Sequence, residues 1–217
     1  VTGLLITIDG PAGAGKTTVS RRVAERLGYR YVDTGALYRT VALTAQAAGI
    51  EPDDDAGLAG ICDGLAIEVV RTDTGTRFLA NGDDVTDRLR TPEITRMASA
   101  VSARPAVRSY LLAVQRELGR EKNAVFEGRD MGTVVFPEAD RKFFLEADLD
   151  ARARRRHAEL AADADETLET VREAIRRRDE DDSTRALAPL KPAPDAIRID
   201  TTDLDIDGVV TAILARC

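Results

Sequence analysis

Gly10, Gly15, Lys16 and Thr17 stand in the spacing GxxxxGKT, written out as Gly10-Pro11-Ala12-Gly13-Ala14-Gly15-Lys16-Thr17, directly after the apolar run Leu4-Leu5-Ile6-Thr7-Ile8. Glycines let a chain turn sharply and bring several backbone N–H groups to one anion, and a helix opening on such a turn adds the positive end of its dipole. The chemistry served is the holding of a nucleoside triphosphate. Lys16 is expected to reach the β and γ phosphates and the Thr17 hydroxyl to ligate Mg²⁺, with Gly10 through Thr18 forming the binding segment.

Two more segments carry chemistry. Asp33-Thr34-Gly35-Ala36-Leu37-Tyr38-Arg39 puts Thr34 where it could cap a helix, and a capped helix start is a second anion site or simply a cap. Arg39, one turn on, could reach a phosphate or stay solvated. Glu127-Gly128-Arg129-Asp130-Met131-Gly132-Thr133 sets charge between glycines after another apolar run, with Asp130 facing a ligand or pairing with Arg129. Arginines also cluster at Arg152-Ala153-Arg154-Arg155-Arg156-His157 and Arg176-Arg177-Arg178, the latter running on into an acidic tract to Arg185. They form solvated helix faces, or they supply the positive charge that phosphoryl transfer needs, on a segment that closes over the substrates. His157, the sole histidine, is expected to sit on a surface helix without catalytic duty.

The elements that must position these groups alternate. Short apolar runs at 4–8, 30–32, 124–127, 142–145 and 196–199 read as buried parallel strands. Helical patterns occupy 17–27, 36–48, 93–99, 106–117, 151–162, 168–179 and 206–216. Such alternation predicts an α/β fold with a doubly wound, five-stranded parallel sheet, flanked by helices and binding ligands at the strands' carboxyl ends. Residues 65–85 break the rhythm with two extended runs, a turn at Asp73-Thr74-Gly75 and the hairpin signal Asn81-Gly82, predicting a small antiparallel insert. Residues 53–57 read as an exposed turn or helix start. The helices between the fourth and fifth strands have the topology of a lid.

Composition narrows the classes. A net charge of −7 argues against binding of nucleic acid or anionic membrane as the main activity. Two cysteines, Cys62 and Cys217, without CxxC spacing, point to neither a disulfide framework nor a zinc site, and to a reducing cytoplasm. Val1-Thr2-Gly3 leads straight into the first run, so no signal or transit peptide is expected, and no apolar run approaches spanning length.

Taken together, the chain resembles the bacterial cytidylate kinases of the nucleoside monophosphate kinase superfamily over nearly its whole length. The resemblance rests on Ile8 through Thr17, on Asp33 through Arg39, on the more specific block Gly128 through Pro137, and on Arg178-Asp179 with Asp182-Ser183-Thr184-Arg185 and Pro189-Leu190. It implies a P-loop kinase fold with a core of about 1–40, 100–150 and 186–217, a monophosphate-binding insert of about 41–99 and a helical lid of about 151–185. It also implies ATP with Mg²⁺ as donor and CMP or dCMP as acceptor, small-molecule partners only, and a monomer. Ser99, Arg108 and Asp130 would read the cytosine edge. Arg39, Arg129 and Arg185 would hold phosphates, Arg178 with Asp182 would bind the sugar, and Arg155 or Arg156 would be the lid arginine. Thr34 keeps a hydroxyl where some relatives have serine. The acidic Glu180 and Asp181 depart from the basic residues of relatives. Competing readings are another small P-loop kinase acting on UMP, AMP or a shikimate-type acceptor, and a nucleotide-dependent switch; the switch would need a guanine-reading NKxD segment, which the sequence lacks.

Overall fold

The computed structural model of the chain describes residues 3–72, 75–160 and 167–217. Apolar residues on both faces make β1 (Leu5–Asp9) fully buried. The phosphate-loop segment then leads into α1 (Lys16–Leu27), β2 (Arg30–Asp33), α2 (Thr34–Ala47) and α3 (Asp55–Gly64). After β3 (Ile67–Thr72), β4 (Gly75–Ala80) and β5 (Asp83–Asp84) come α4 (Pro92–Val101) and α5 (Pro105–Gly119). The chain returns through β6 (Ala124–Gly128), a π-helical turn Met131–Val135, β7 (Arg141–Glu146), α6 (Leu149–Leu160), α7 (Leu168–Thr184), β8 (Ile197–Asp200) and α8 (Ile206–Leu214).

The large sheet has the order β2-β6-β1-β7-β8. β1 pairs in parallel with β6, Asp9 opposite Gly128, and with β7, Asp9 opposite Phe144; β7 pairs in parallel with β8. This register sets the end of β1 beside the end of β6. Ile6, Ile8, Val125, Phe143 and Leu145 fill the sheet's core against Val19 and Val23 of α1 and Val209 and Ile213 of α8. Each such side chain, removed from water, stabilises the fold by about 1.5–3 kcal/mol.

Cα packing divides the chain into two compact units, Val1–Val32 with Lys122–Cys217, and Asp33–Glu121. The second has its own core, centred on Leu37, Val41, Leu58, Val101, Val107 and Leu111. It carries the expected antiparallel insert as the sheet β3-β4-β5. Asn81 at φ 51° and Gly82 at φ 88° make the turn between β4 and β5, the pair of positive values a tight hairpin demands. Asp73 and Thr74 of the expected first turn, and residues 161–162 at the expected end of α6, lie outside the described residues.

Ends of the five parallel strands fall within about a residue of those read from the sequence and most other ends within about two, but two helices stand apart. Of the two readings of 53–57, an exposed turn or a helix start, the second holds: a full helix, α3, opens there, with the Asp54 side chain accepting from the Gly57 N–H. Gly57, Gly60 and Gly64 weaken that helix intrinsically. Burial of Leu58 and Cys62 in the second core compensates. The other difference is α7, which continues past 179 to Thr184. No helix among the described residues is long and apolar enough to cross a membrane.

Candidate functional site

The loop after β1 bends through Gly10, at φ 151°, and Gly15, at φ 81°. A side chain on Gly10 would put its Cβ 2.2 Å from the Leu145 carbonyl oxygen, so the crossing of loop over β7 needs glycine there. Gly15 caps α1 without any side-chain acceptor, leaving the first N–H groups of the helix to other partners. Lys16 is buried, and its Nζ donates to the Pro11 carbonyl at 2.6 Å. Burial, followed by the charge of Arg129 and then that of Arg178, drives the Lys16 ammonium well below its usual pKa, against the pull of Glu127 and Asp182.

Thr17 donates its hydroxyl to Glu127 Oε1 at 2.9 Å, and the Tyr31 hydroxyl donates to the same oxygen at 2.5 Å. A hydroxyl beside a carboxylate is a hard-oxygen pair that suits Mg²⁺. Among the described residues no group of three or more His, Cys, Asp or Glu comes together as a metal cage.

Asp9, the last residue of β1, accepts from the backbone N–H of Met131 at 2.9 Å and of Gly132 at 2.7 Å. These bonds fix the turn that displays Arg129 and Asp130. Burial pushes the Asp9 carboxyl up to about 6, reinforced by the Asp130 charge and moderated by the two N–H groups and Lys16.

Around Lys16 the structure gathers most of the predicted residues of the first unit. Arg129 Nε donates to Asp182 Oδ2 at 2.8 Å, and Arg185 lies 3.5 Å from Asp182 and 3.7 Å from Asp130. Burial would raise the Asp182 carboxyl, but Arg129, Arg178 and Arg185 outweigh it and hold the group below the usual carboxylate range. Arg178, Asp182 and Arg185 follow at i, i+4 and i+7, one stripe of α7 extended by its last turn.

Arg155 and Arg156 do not join this cluster. The Arg155 guanidinium donates to Thr201 Oγ1 at 3.1 Å, to the Thr201 carbonyl and to the Thr202 carbonyl at 3.2 Å, which ties α6 to the end of β8. Arg156 is exposed and pairs with Glu159 at 3.0 Å. Successive helical residues point about 100° apart, so one arginine tract serves several faces.

In the second unit the expectation that Thr34 caps α2 is corrected. Asp33 is the cap, its Oδ1 accepting from the Ala36 N–H at 3.0 Å, and Thr34 is the first helical residue, buried. A carboxylate placed one residue earlier reaches the third helical N–H, which Thr34 cannot. Arg39 donates Nη2 to Asp33 Oδ2 at 2.8 Å, and Arg90 stands 4.0 Å from the same oxygen. The Arg39 Nε is buried with no hydrogen-bond partner among the described residues. Where α4 meets α5, Arg108 donates to the Ser102 carbonyl at 3.1 Å and Ser102 Oγ donates to the Ser99 carbonyl at 2.7 Å. The Arg108 guanidinium also lies 6.0 Å over the Tyr38 ring. Ser99 and Arg108 therefore share one corner. Sequence reasoning gave no role to Asp9, Tyr31, Asp33, Glu127, Arg152 or Asp179; the position of Asp9, Asp33 and Glu127 at or next to strand ends was the available signal.

The sequence model described as cytidylate kinase matches residues 6–217. A cytidylate kinase of Geobacter sulfurreducens is 54% identical over 209 residues, covering 96% of this chain and 90% of its own. One from Citrifermentans bemidjiense is 50% identical over the same shares. Among solved structures, a gluconokinase from Sinorhizobium meliloti 1021 matches with a TM-score of 0.51 at 16% identity, covering 99% of this chain and 93% of that one, a likeness of fold. With a family match across nearly its whole length and relatives at half identity, the chain belongs to the cytidylate kinase family.

Proposed function

We propose that the chain transfers the γ-phosphoryl group of ATP to CMP or dCMP, giving ADP and CDP or dCDP. The observation that carries this reading is the convergence of Lys16, Arg129, Arg178 and Arg185 beside a glycine-bent loop and an uncapped helix start. The acceptor phosphate, with a second pKa of about 6, is already an anion at neutral pH and needs no general base. What remains is to hold two repelling anions in line and to neutralise charge spreading over the group in transfer.

On this reading, residues 10–18 bind the triphosphate, with Lys16 on its β and γ phosphates. Thr17, with Glu127 beside it, would hold Mg²⁺, which neutralises phosphate charge when bound. Arg39, Arg129 and Arg185 hold phosphates. The buried, unpartnered Arg39 Nε supports this, since it has a donor to spare for an anion. Arg178 and Asp182 hold the sugar, Thr34 contributes its hydroxyl, and Ser99, Arg108 and Asp130 read the base. Cytosine presents an amine where uracil presents a carbonyl, so the Asp130 carboxylate accepts from the first and repels the second. Residues 151–185 act as a lid that keeps water from ATP, residues 41–99 as the monophosphate-binding insert, and the rest as core. The free Cys62 and Cys217 suit a reducing cytoplasm, and the chain acts there as a monomer.

The test is ADP release from ATP with CMP, dCMP, UMP, dTMP, AMP or GMP as acceptor. Turnover confined to CMP and dCMP, with UMP weaker, is expected. A clear preference for AMP, or ATP turnover indifferent to every monophosphate, overturns the assignment. In the same assay Asp130→Ala should narrow the ratio of kcat/KM for CMP over UMP, and an unchanged ratio removes Asp130 from base reading.

A further inference from the structure

Ala12, the third residue of the glycine-rich loop, has both of its backbone polar groups held by one ion pair. Its N–H donates to Asp179 Oδ1 at 3.2 Å, and its carbonyl accepts from Arg152 Nη1 at 3.0 Å. Arg152 and Asp179 are in turn bonded to each other across the hairpin of α6 and α7, and Arg152 Nε donates to the Ala147 carbonyl at 2.9 Å. The Ala12 methyl packs into the hairpin's own apolar cluster with Ala153, Val171 and Ile175. A Cβ on the next residue, Gly13, would come within 3.1 Å of Arg152, so loop and helix already touch. Neither Arg152 nor Asp179 belongs to the set assigned to phosphate, sugar or base.

We propose that Arg152 and Asp179 are positioning residues for the triphosphate. By clamping the peptide groups of Ala12, they hold the Pro11-Ala12-Gly13 bend in one conformation, so that the N–H groups beyond it meet the anion without first being ordered. The same contact ties α7 to the loop on a face apart from the one that carries the proposed substrate residues. Asp179 faces Ala12, while on the neighbouring stripe Arg178 and Asp182 act on Lys16 and Arg185 stands beside Asp182. The alternative is that the pair merely staples the hairpin together.

This inference rests on the loop being the ATP site. The experiment measures dissociation constants for the non-hydrolysable analogue AMP-PNP, with Mg²⁺, and for CMP by calorimetry, alongside thermal unfolding of the nucleotide-free protein. Asp179→Ala should weaken AMP-PNP about tenfold, the loss of one charge-assisted hydrogen bond, and leave CMP within about twofold. Asp179→Asn keeps an oxygen for the Ala12 N–H and should recover AMP-PNP affinity to within about threefold of wild type. A lowered Tm with unchanged AMP-PNP affinity shows a structural staple and overturns the proposal, as does equal weakening of both nucleotides. Should Asp179→Ala fail to fold, Arg152→Lys, which loses the guanidinium fork that reaches the Ala12 and Ala147 carbonyls together, carries the test, and wild-type AMP-PNP affinity in that variant overturns the proposal. Wild-type protein that binds AMP-PNP but does not phosphorylate CMP would defeat the proposed function while leaving this comparison readable.

Discussion

Asp9 and Asp182 are two carboxylates of the first unit that interact with the Lys16 charge, and they are almost equally buried, at 4% and 6% exposure. Their charge states nevertheless diverge. At the foot of the loop, Asp9 has only two backbone N–H groups and the charge of Lys16 to offset burial, and its pKa climbs to about 6. On α7, Asp182 faces the guanidinium of Arg129 at 2.8 Å and that of Arg185 at 3.5 Å, with the charge of Arg178 added, and it is held ionised. Depth alone does not decide whether a buried carboxylate keeps its charge; the number of cations facing it does. The Asp9 region is a structural hinge pin for the turn bearing Arg129 and Asp130. The Asp182 region is a charge assembly in which three arginines face one carboxylate, and under the proposed function their excess charge is what meets phosphate.

The largest expected effect comes from the residue both regions share. Lys16→Ala should lower kcat by about a thousandfold, as loss of a preorganised charge at a transferring group does, while circular dichroism stays native. Near-normal ADP release in that variant would sink the mechanism. Next comes Asp182→Ala, which leaves Arg129 and Arg185 facing each other in a buried site and should cost about 3–5 kcal/mol in urea unfolding. A loss below about 1 kcal/mol would mean that the arginines relax into solvent and that the two regions differ less than their charge states suggest.

A third effect is a matter of pH, and it has opposite signs in the two regions. Because the folded pKa of Asp9 is raised from 3.8 to about 6, the native state binds the proton more tightly, and this contribution to stability is full below pH 3.8. It is lost as pH rises through about 6, a change of about 3 kcal/mol. The folded pKa of Asp182 is lowered, so its contribution is present above 3.8 and fades only as pH falls below that value. Urea unfolding from pH 4 to 7 should show wild type gaining on Asp9→Asn toward the acid end. A constant gap between the two would show that Asp9 stays ionised throughout. The smallest effect is a control outside both regions: Thr91, which caps α4 by accepting from the Ile94 N–H, should cost about 1 kcal/mol on change to Ala, with kinetics unaltered.

Much of this was legible beforehand, for identifiable reasons. Strands buried on both faces leave short apolar runs, and β1, β6 and β7 were found within about a residue of their ends. Asn81-Gly82 announced its hairpin because few other pairs adopt two positive φ values cheaply. The start of α3 was one of two readings of 53–57, but its glycines hid its length, since a helix held by Leu58 and Cys62 in the core of its unit has little local signature. The acidic run 179–182 looked like the end of α7; the helix continues because Arg129 and Arg185 neutralise Asp182 from outside the local sequence. Thr34 was preferred to Asp33 as a cap because both residue types cap well and only the backbone places one of them before the first turn.

By itself the sequence determined the phosphate-binding loop, the alternation of strand and helix, and the family, because these depend on residue types at short fixed spacings. It also named Arg129, Arg178 and Asp182 of the groups around Lys16, but not Asp9 or Glu127. Only the tertiary structure decided which arginines of two similar tracts turn inward. Arg152 clamps Ala12, Arg155 anchors the end of β8, Arg156 stays at the surface, and Arg178 and Arg185 join Asp182. Only the tertiary structure, too, set the charge of Asp9 against that of Asp182. A charge state depends on every polar group within a few ångströms, and here those groups come from residues more than a hundred positions apart for Asp9 and more than fifty for Asp182.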